Sequence, residues 1–199
     1  ATRFEGVEQK FRCAFLNFDN SRNVHVWGEG TINGRGQEWN KYKSKDGHWG
    51  RPRMLCFTNC PGGRIDGLTM VNHASWCLHV LYTDGFTIDN LHISVTSYVP
   101  SSDGVDIDSS SDIRMTNVYT NVTDDCLSIK SGKNEDGRRV ARPSMNIYVN
   151  NCNFDGGHGV AMGSEISGCI KNVLIENCVC GEQNRAPVRF KSQPSRGGV

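Results

Sequence analysis

Between Ser102 and Lys191 the chain repeats one short pattern of apolar and polar positions four times. The segments are Asp103-Gly-Val-Asp-Ile107, Asp125-Cys-Leu-Ser-Ile129, His158-Gly-Val-Ala-Met162 and Ala186-Pro-Val-Arg-Phe190. Aligned on their last residue, Val105, Leu127, Val160 and Val188 form one apolar column, and Ile107, Ile129, Met162 and Phe190 form the next. Asp106, Ser128, Ala161 and Arg189 alternate with them, followed by Asp108, Lys130, Gly163 and Lys191. A period of two marks a strand with one buried face. Leu78-His79-Val80 and Leu55-Cys56-Phe57 fit the same frame upstream.

A second pattern runs alongside the first. Gly28, Gly67, Asn90, Asn117, Asn151 and Asn177 each follow an apolar residue by two positions, at separations of 39, 23, 27, 34 and 26 residues. Gly and Asn tolerate left-handed backbone, so a recurring corner is expected at each. Each period then holds two short strands. Strand repeats of this length mean a solenoid or a propeller, and most periods are too short for a four-stranded blade. The pattern predicts an all-β fold, a parallel β-helix in which like residues stack coil on coil. It is expected to form a single domain over 1–199 that lacks terminal coils or caps, since neither end reads as one. Uneven periods place long loops at Gly34–Pro52, Val95–Ser102 and Lys133–Pro143.

Stacking gives the pattern its chemistry. Parallel rungs lie about 4.8 Å apart, so Asp103, Asp125 and His158 fall on successive rungs, with Asp124 beside them. Paired carboxylates suit glycosidic hydrolysis, where one protonates the leaving oxygen and another activates water. The competing readings are calcium binding and ordinary turn aspartates. Arg189 and Lys191 share an outward face with Asp106 and Ser128, where they suit either an anionic substrate or simple charge balance. His25, His48, His73, His79 and His92 have no metal-ligand spacing and read as structural or surface groups.

Composition narrows the classes. Net charge is +1, which gives no general pull toward nucleic acid or membrane. No apolar run approaches the roughly 18 residues of a membrane span. The chain has nine cysteines without paired CxxC ligands, leaving buried thiols or one to two disulfides open. No cofactor or metal is called for. Ala1-Thr-Arg-Phe4 does not have the pattern of a signal peptide, and a mature or partial chain is expected.

Ser102-Asp-Gly-Val-Asp106, Thr123-Asp-Asp-Cys126, Gly157-His-Gly159 and Arg189-Phe-Lys191 resemble, in order and spacing, the four signature segments of glycoside hydrolase family 28, the polygalacturonases. Lys130-Ser-Gly132 and Gly163-Ser-Glu-Ile-Ser-Gly168 are similar to bacterial members. The resemblance covers Gly28 to Gly198. It implies a right-handed parallel β-helix that hydrolyses α-1,4-linked galacturonic acid in pectin with inversion. It also implies a secreted or periplasmic monomer whose partner is a pectic polysaccharide or oligogalacturonide.

By position, Asp124 is then the general acid, Asp103 and Asp125 activate water, and His158 supports the site. Arg189, Lys191, Lys130 and Asp106 are expected to bind substrate. Ser101-Ser102 stands where the family usually has Asn-Thr, so the adjoining subsite is expected to differ. The 133–143 loop resembles that of bacterial exo-acting members and is expected to wall one end of the cleft. Two alternatives stand beside this reading. One is a calcium-dependent pectate lyase on the same fold, marked by ultraviolet-absorbing products and loss of activity with chelator. The other is a non-catalytic carbohydrate-binding solenoid, which would be indifferent to Asp124→Asn.

Overall fold

A computed structural model describes residues 2–42 and 50–198. His48 and the middle of the 34–52 loop lie outside the described residues. Three parallel sheets wind around a shared core. The first has seven strands: Leu16–Asp19, Leu55–Thr58, Leu78–Leu81, Val105–Asp108, Asp125–Lys130, His158–Met162 and Val188–Phe190. They neighbour one another in chain order, as a solenoid requires. Two six-stranded sheets complete each coil, one from His25–Trp27 to Ile170–Glu176 and one from Thr31–Asn33 to Val179–Cys180. The architecture is a right-handed parallel β-helix.

The sequence register holds strand by strand. Val105 pairs with Leu78 on one side and Leu127 on the other, and Val160 pairs with Leu127 and Val188. Leu55, Leu78, Val105, Leu127 and Val160 are buried in one core with Phe57, Val80, Ile107 and Ile129. Each such side chain contributes about 1.5–3 kcal/mol when removed from water. The corners are where the Gly/Asn pattern put them. Gly67, Asn90, Asn117, Asn151 and Asn177 all have φ between +50° and +80°. Their side chains bond along the stack: Asn151 Nδ2 donates to Asn117 Oδ1 at 2.7 Å, and Asn117 Nδ2 donates to Asp89 Oδ1 at 2.8 Å.

Four expectations are corrected. Each coil has three strands, not two. The third is only two or three residues long, as in Thr69–Val71 or Asn153–Phe154, too short for alternation to register. The 133–143 segment contains an α-helix, Asn134–Val140. Val188 and Phe190 are 55% and 84% exposed, because among the described residues no rung stacks beyond theirs. The chain also begins with an antiparallel hairpin of its own, Thr2–Phe4 and Val7–Gln9, which the two patterns do not foreshadow.

That hairpin lies over the outer face of the seven-stranded sheet. Arg3 Nη1 donates to Asp108 Oδ1 at 2.9 Å and to Ser109 Oγ at 2.6 Å. Phe4 packs on Trp76 with ring centroids 4.6 Å apart. Arg53 Nη1 meets His79 Nδ1 and donates to the Arg3 carbonyl. The outward column of His79, Asp106 and Ser128 is therefore fully buried, although its side chains point away from the apolar core. The helix supports the hairpin: Arg139 pairs with Glu8, and the backbone N–H of Lys133 donates to the Gly6 carbonyl at 2.9 Å.

Candidate active site

The N-terminal ends of three adjacent strands of the seven-stranded sheet converge on one cleft. Asp125 and His158 are register partners. The N–H of Gly104 donates to the Asp125 carbonyl at 2.9 Å, so Asp103 sits one rung away, ahead of its strand. Asp124 directly precedes the Asp125–Lys130 strand. Strand spacing alone brings the three aspartates and the imidazole together. The cleft has a volume of about 180 Å³, and its lining includes Asp103, Asp124, Asp125, Lys130, Glu165 and Lys191 together with Glu5 and Trp76.

The carboxylates differ in surroundings. Asp125 is buried and meets two cations: Lys191 Nζ stands 2.5 Å from its Oδ2, and Arg189 Nη1 stands 3.4 Å from its Oδ1. Asp124 is the accessible one, with its side chain 39% exposed. His158 Nδ1 lies between them, 3.4 Å from Asp125 Oδ1 and 3.8 Å from Asp124 Oδ1. Burial lowers the His158 pKa, and Arg189 lowers it further against the opposing pull of the two aspartates, so the ring is neutral at pH 7. Asp103 is buried, and desolvation raises its pKa well above the ordinary range while Lys130 opposes the rise.

Small residues let these groups approach. Gly157 has φ of +57°, and a Cβ there would run into the Asp124 carbonyl. Gly163 has φ of +102°, and a Cβ there would meet the Lys191 carbonyl. No side chain other than hydrogen fits either position without moving a site residue.

Two of the expected substrate-binding residues lie below the surface. Asp106 has no exposed area, and neither of its oxygens has a hydrogen-bond partner. Lys130 is almost fully buried at the floor of the cleft, with Nζ 3.5 Å from Asp106 and 3.5 Å from Glu165. Glu165 is the residue sequence reasoning missed. It lies in the Gly163–Gly168 segment, noticed only for its likeness to bacterial sequences. Its one chemical signal was a lone acid beside a strand end. The helix at 134–140 contributes no residue to the lining of this pocket.

Oxygen and nitrogen atoms of Asp124, Asp125 and His158 all lie within 4.8 Å of one another, a spacing that can hold a cation. Lys191 and Arg189 already neutralise Asp125, and a divalent ion would have to compete with both.

Residues 1–199 match the family model described as Glycosyl hydrolases family 28. The chain belongs to that family. Among family 28 relatives it is 28% identical to Polygalacturonase-2 of Solanum lycopersicum over 202 residues, covering 96% of this chain and 41% of that protein. It is 29% identical to Exopolygalacturonase B of Aspergillus niger, covering 78% of this chain and 36% of the relative. The crystal structure of a hyperthermoactive exopolygalacturonase from Thermotoga maritima superposes with a TM-score of 0.84 at 25% identity, covering 99% of this chain and 53% of that one. The polygalacturonase from Erwinia carotovora shares the fold, with a TM-score of 0.82 at 23% identity, covering 100% of this chain and 55% of that one. The chain spans between 33% and 41% of the length of the first curated relatives it matches.

Proposed function

We propose that this chain carries the catalytic centre of a polygalacturonase, which hydrolyses α-1,4-linked galacturonic acid in pectin with inversion. One observation carries the reading: an accessible carboxylate, Asp124, stands beside the buried acids Asp103 and Asp125 in a single cleft that Lys191 also lines, with Arg189 paired to Asp125. Hydrolysis with inversion requires an acid on the leaving oxygen and a second carboxylate that activates water.

Asp124, the exposed acid, protonates the glycosidic oxygen. Asp103 and Asp125 hold the attacking water and accept its proton. Neutral His158 lies between Asp124 and Asp125 and supports the site. Arg189 and Lys191, both partly exposed, hold the uronate carboxylate of the substrate. Asp106 lies too deep for direct contact with a sugar ring, and Lys130, almost fully buried at the cleft floor, supports the site from below. The enzyme is an exported monomer that acts on pectic polymer. Its relatives include both polygalacturonases and exopolygalacturonases by name. No helix among the described residues is long and apolar enough to cross a membrane.

Proton NMR of a digest of defined oligogalacturonides tests the whole reading. The expected product is the β-anomer of a saturated galacturonide, since inversion converts the α-linkage. Retained α-anomer overturns the inverting mechanism. A 4,5-unsaturated product, lost with chelator, establishes a lyase instead. Release of single residues from the outset marks exo action, and early mid-chain cleavage excludes it.

A further inference from the structure

We propose that Lys130 and Glu165 form a buried charge pair beneath the cleft that sets the ionisation of Asp103: Lys130 holds Asp103 as a carboxylate, and Glu165 restrains that hold. The inference rests on the reading above in which Asp103 takes a proton from water.

The geometry is a closed cluster of four charged side chains. Lys130 Nζ is 4.0 Å from Asp103 Oδ2, 3.5 Å from Asp106 Oδ1 and 3.5 Å from Glu165 Oε2. No side chain among the four is more than 5% exposed. The Lys130 ammonium also lies 4.8 Å over the Trp76 ring, which shields it from water on that side. One cation therefore faces three acids. Fully ionised, the cluster would bury two uncompensated negative charges, which the protein interior does not sustain. Protons must stay within it, and their distribution decides which acid is left charged.

The surroundings assign that distribution. Asp106 is the deepest, with no donor on either oxygen, and its pKa is raised well above the usual carboxylate range by burial and by Asp103. It holds a proton. Lys130 stays charged, because the acids around it, Glu165 first, outweigh its desolvation. Asp103 and Glu165 then share one ammonium. Other charges face Asp103 from neighbouring elements: Asp124 and Asp125 raise its pKa, and Lys191 lowers it. Glu5, on the hairpin turn, faces Lys130 and Glu165 from above, with Lys133 beside it.

The loop carrying Glu165 is tied to the strand carrying Lys130. The N–H of Ser131 donates to the Glu165 carbonyl at 2.6 Å. The hairpin turn closes the lid: Gly6 has φ of +75°, and a Cβ there would collide with Lys133 and with the Glu165 side chain. Both charges are thus fixed by backbone contacts, not by a chance rotamer. Both act on the reaction through Asp103.

Carboxyl-carbon NMR of the protein labelled at aspartate, with the Asp103 signal assigned through Asp103→Asn, reads the effect directly. The acid limb of kcat/KM on oligogalacturonides reads it in turnover. Lys130→Met is expected to move the Asp103 midpoint up by about one pH unit or more, and Glu165→Gln to move it down by a similar amount. The double variant returns it toward wild type, and Lys130→Arg keeps it near wild type. Glu165→Gln preserves shape, so the test stands even where Lys130→Met folds poorly.

Midpoints that stay put, or that move the same way in both variants, overturn the proposal. Opposite NMR shifts with an unmoved acid limb in an active enzyme confirm the charge coupling and assign the base to Asp125. Opposite shifts in a protein that hydrolyses no galacturonide leave the coupling standing and remove the proposed function.

Discussion

Lys191 Nζ and Asp125 Oδ2 stand 2.5 Å apart although 66 residues separate them in the chain. Asp125 is buried and Lys191 is a quarter exposed. The ammonium therefore has two tasks, neutralising a buried carboxylate and facing the substrate. Lys191→Met leaves Asp125 with Arg189 at 3.4 Å as its nearest counter-ion. The expected loss of stability is about 2 kcal/mol, below the usual figure for a fully buried pair because Lys191 is partly solvated. Urea denaturation checks this, and KM for oligogalacturonide should rise in the same variant. An unchanged midpoint would show that Arg189 alone satisfies Asp125.

Asp124→Asn removes the only accessible acid of the three aspartates while keeping its shape. A general acid contributes about 10²–10⁴-fold. The expected outcome is a fall in kcat of that size with KM little changed, measured by reducing-end release. A variant with wild-type turnover ends the assignment of Asp124 as acid.

Gly157→Ala places a methyl group against the Asp124 carbonyl at a position with φ of +57°. The substitution strains the backbone and pushes His158 and Asp124 apart. Activity should fall by about tenfold or more, since small displacements at a reacting centre can cost as much as 10²-fold. Thermal stability should fall with it, as Ala is unfavourable at positive φ. Initial rates and melting temperature together check this.

His73 is fully buried, and desolvation lowers its pKa to about 4. A base with a depressed folded-state pKa binds fewer protons folded than unfolded between pH 4 and 6.5. Its contribution is therefore complete above pH 6.5 and is lost as pH falls toward 4, by about 3 kcal/mol in total. The raised pKa values of Asp103 and Asp106 act in the opposite sense, so the wild type alone does not isolate the effect. His73→Asn does: its stability relative to wild type should improve steadily as pH drops from 6.5 to 4. Urea unfolding across that range measures the difference.

All nine cysteines are free, five of them buried. Exhaustive titration in denaturant should find nine thiols, and reductant should leave the melting temperature unchanged. Two fewer thiols would mean a disulfide.

The repeating half of the structure was open to reading from sequence because solenoid register is local. Val105, Leu127 and Val160 stack because each occupies the same place in its own coil, and Asp103, Asp125 and His158 follow from the same arithmetic. Asn90, Asn117 and Asn151 marked corners because few other residues adopt left-handed backbone cheaply. The burial of Lys130 and Asp106 was not accessible in this way. It depends on Arg3, Phe4 and Gly6 docking against coils more than 70 residues away, and no period connects them. Glu165 was hidden for the same reason, since a single acid in a loop carries no pattern. The helix at Asn134–Val140 escaped because its Lys133 N-cap makes no side-chain bond and Gly137 interrupts it.

The hairpin that covers the cleft floor also dictates an order of assembly. Its residues leave the ribosome ahead of everything they rest on, and the Arg3 contact to Asp108 spans 105 residues. During synthesis the ribbon must wind through its middle turns while the leading segment waits, undocked, for a seat that does not yet exist. The hairpin, made before the coils it rests on, thus settles after them. The buried acids at the cleft floor gain their working electrostatics after the rest of the spiral is already in place.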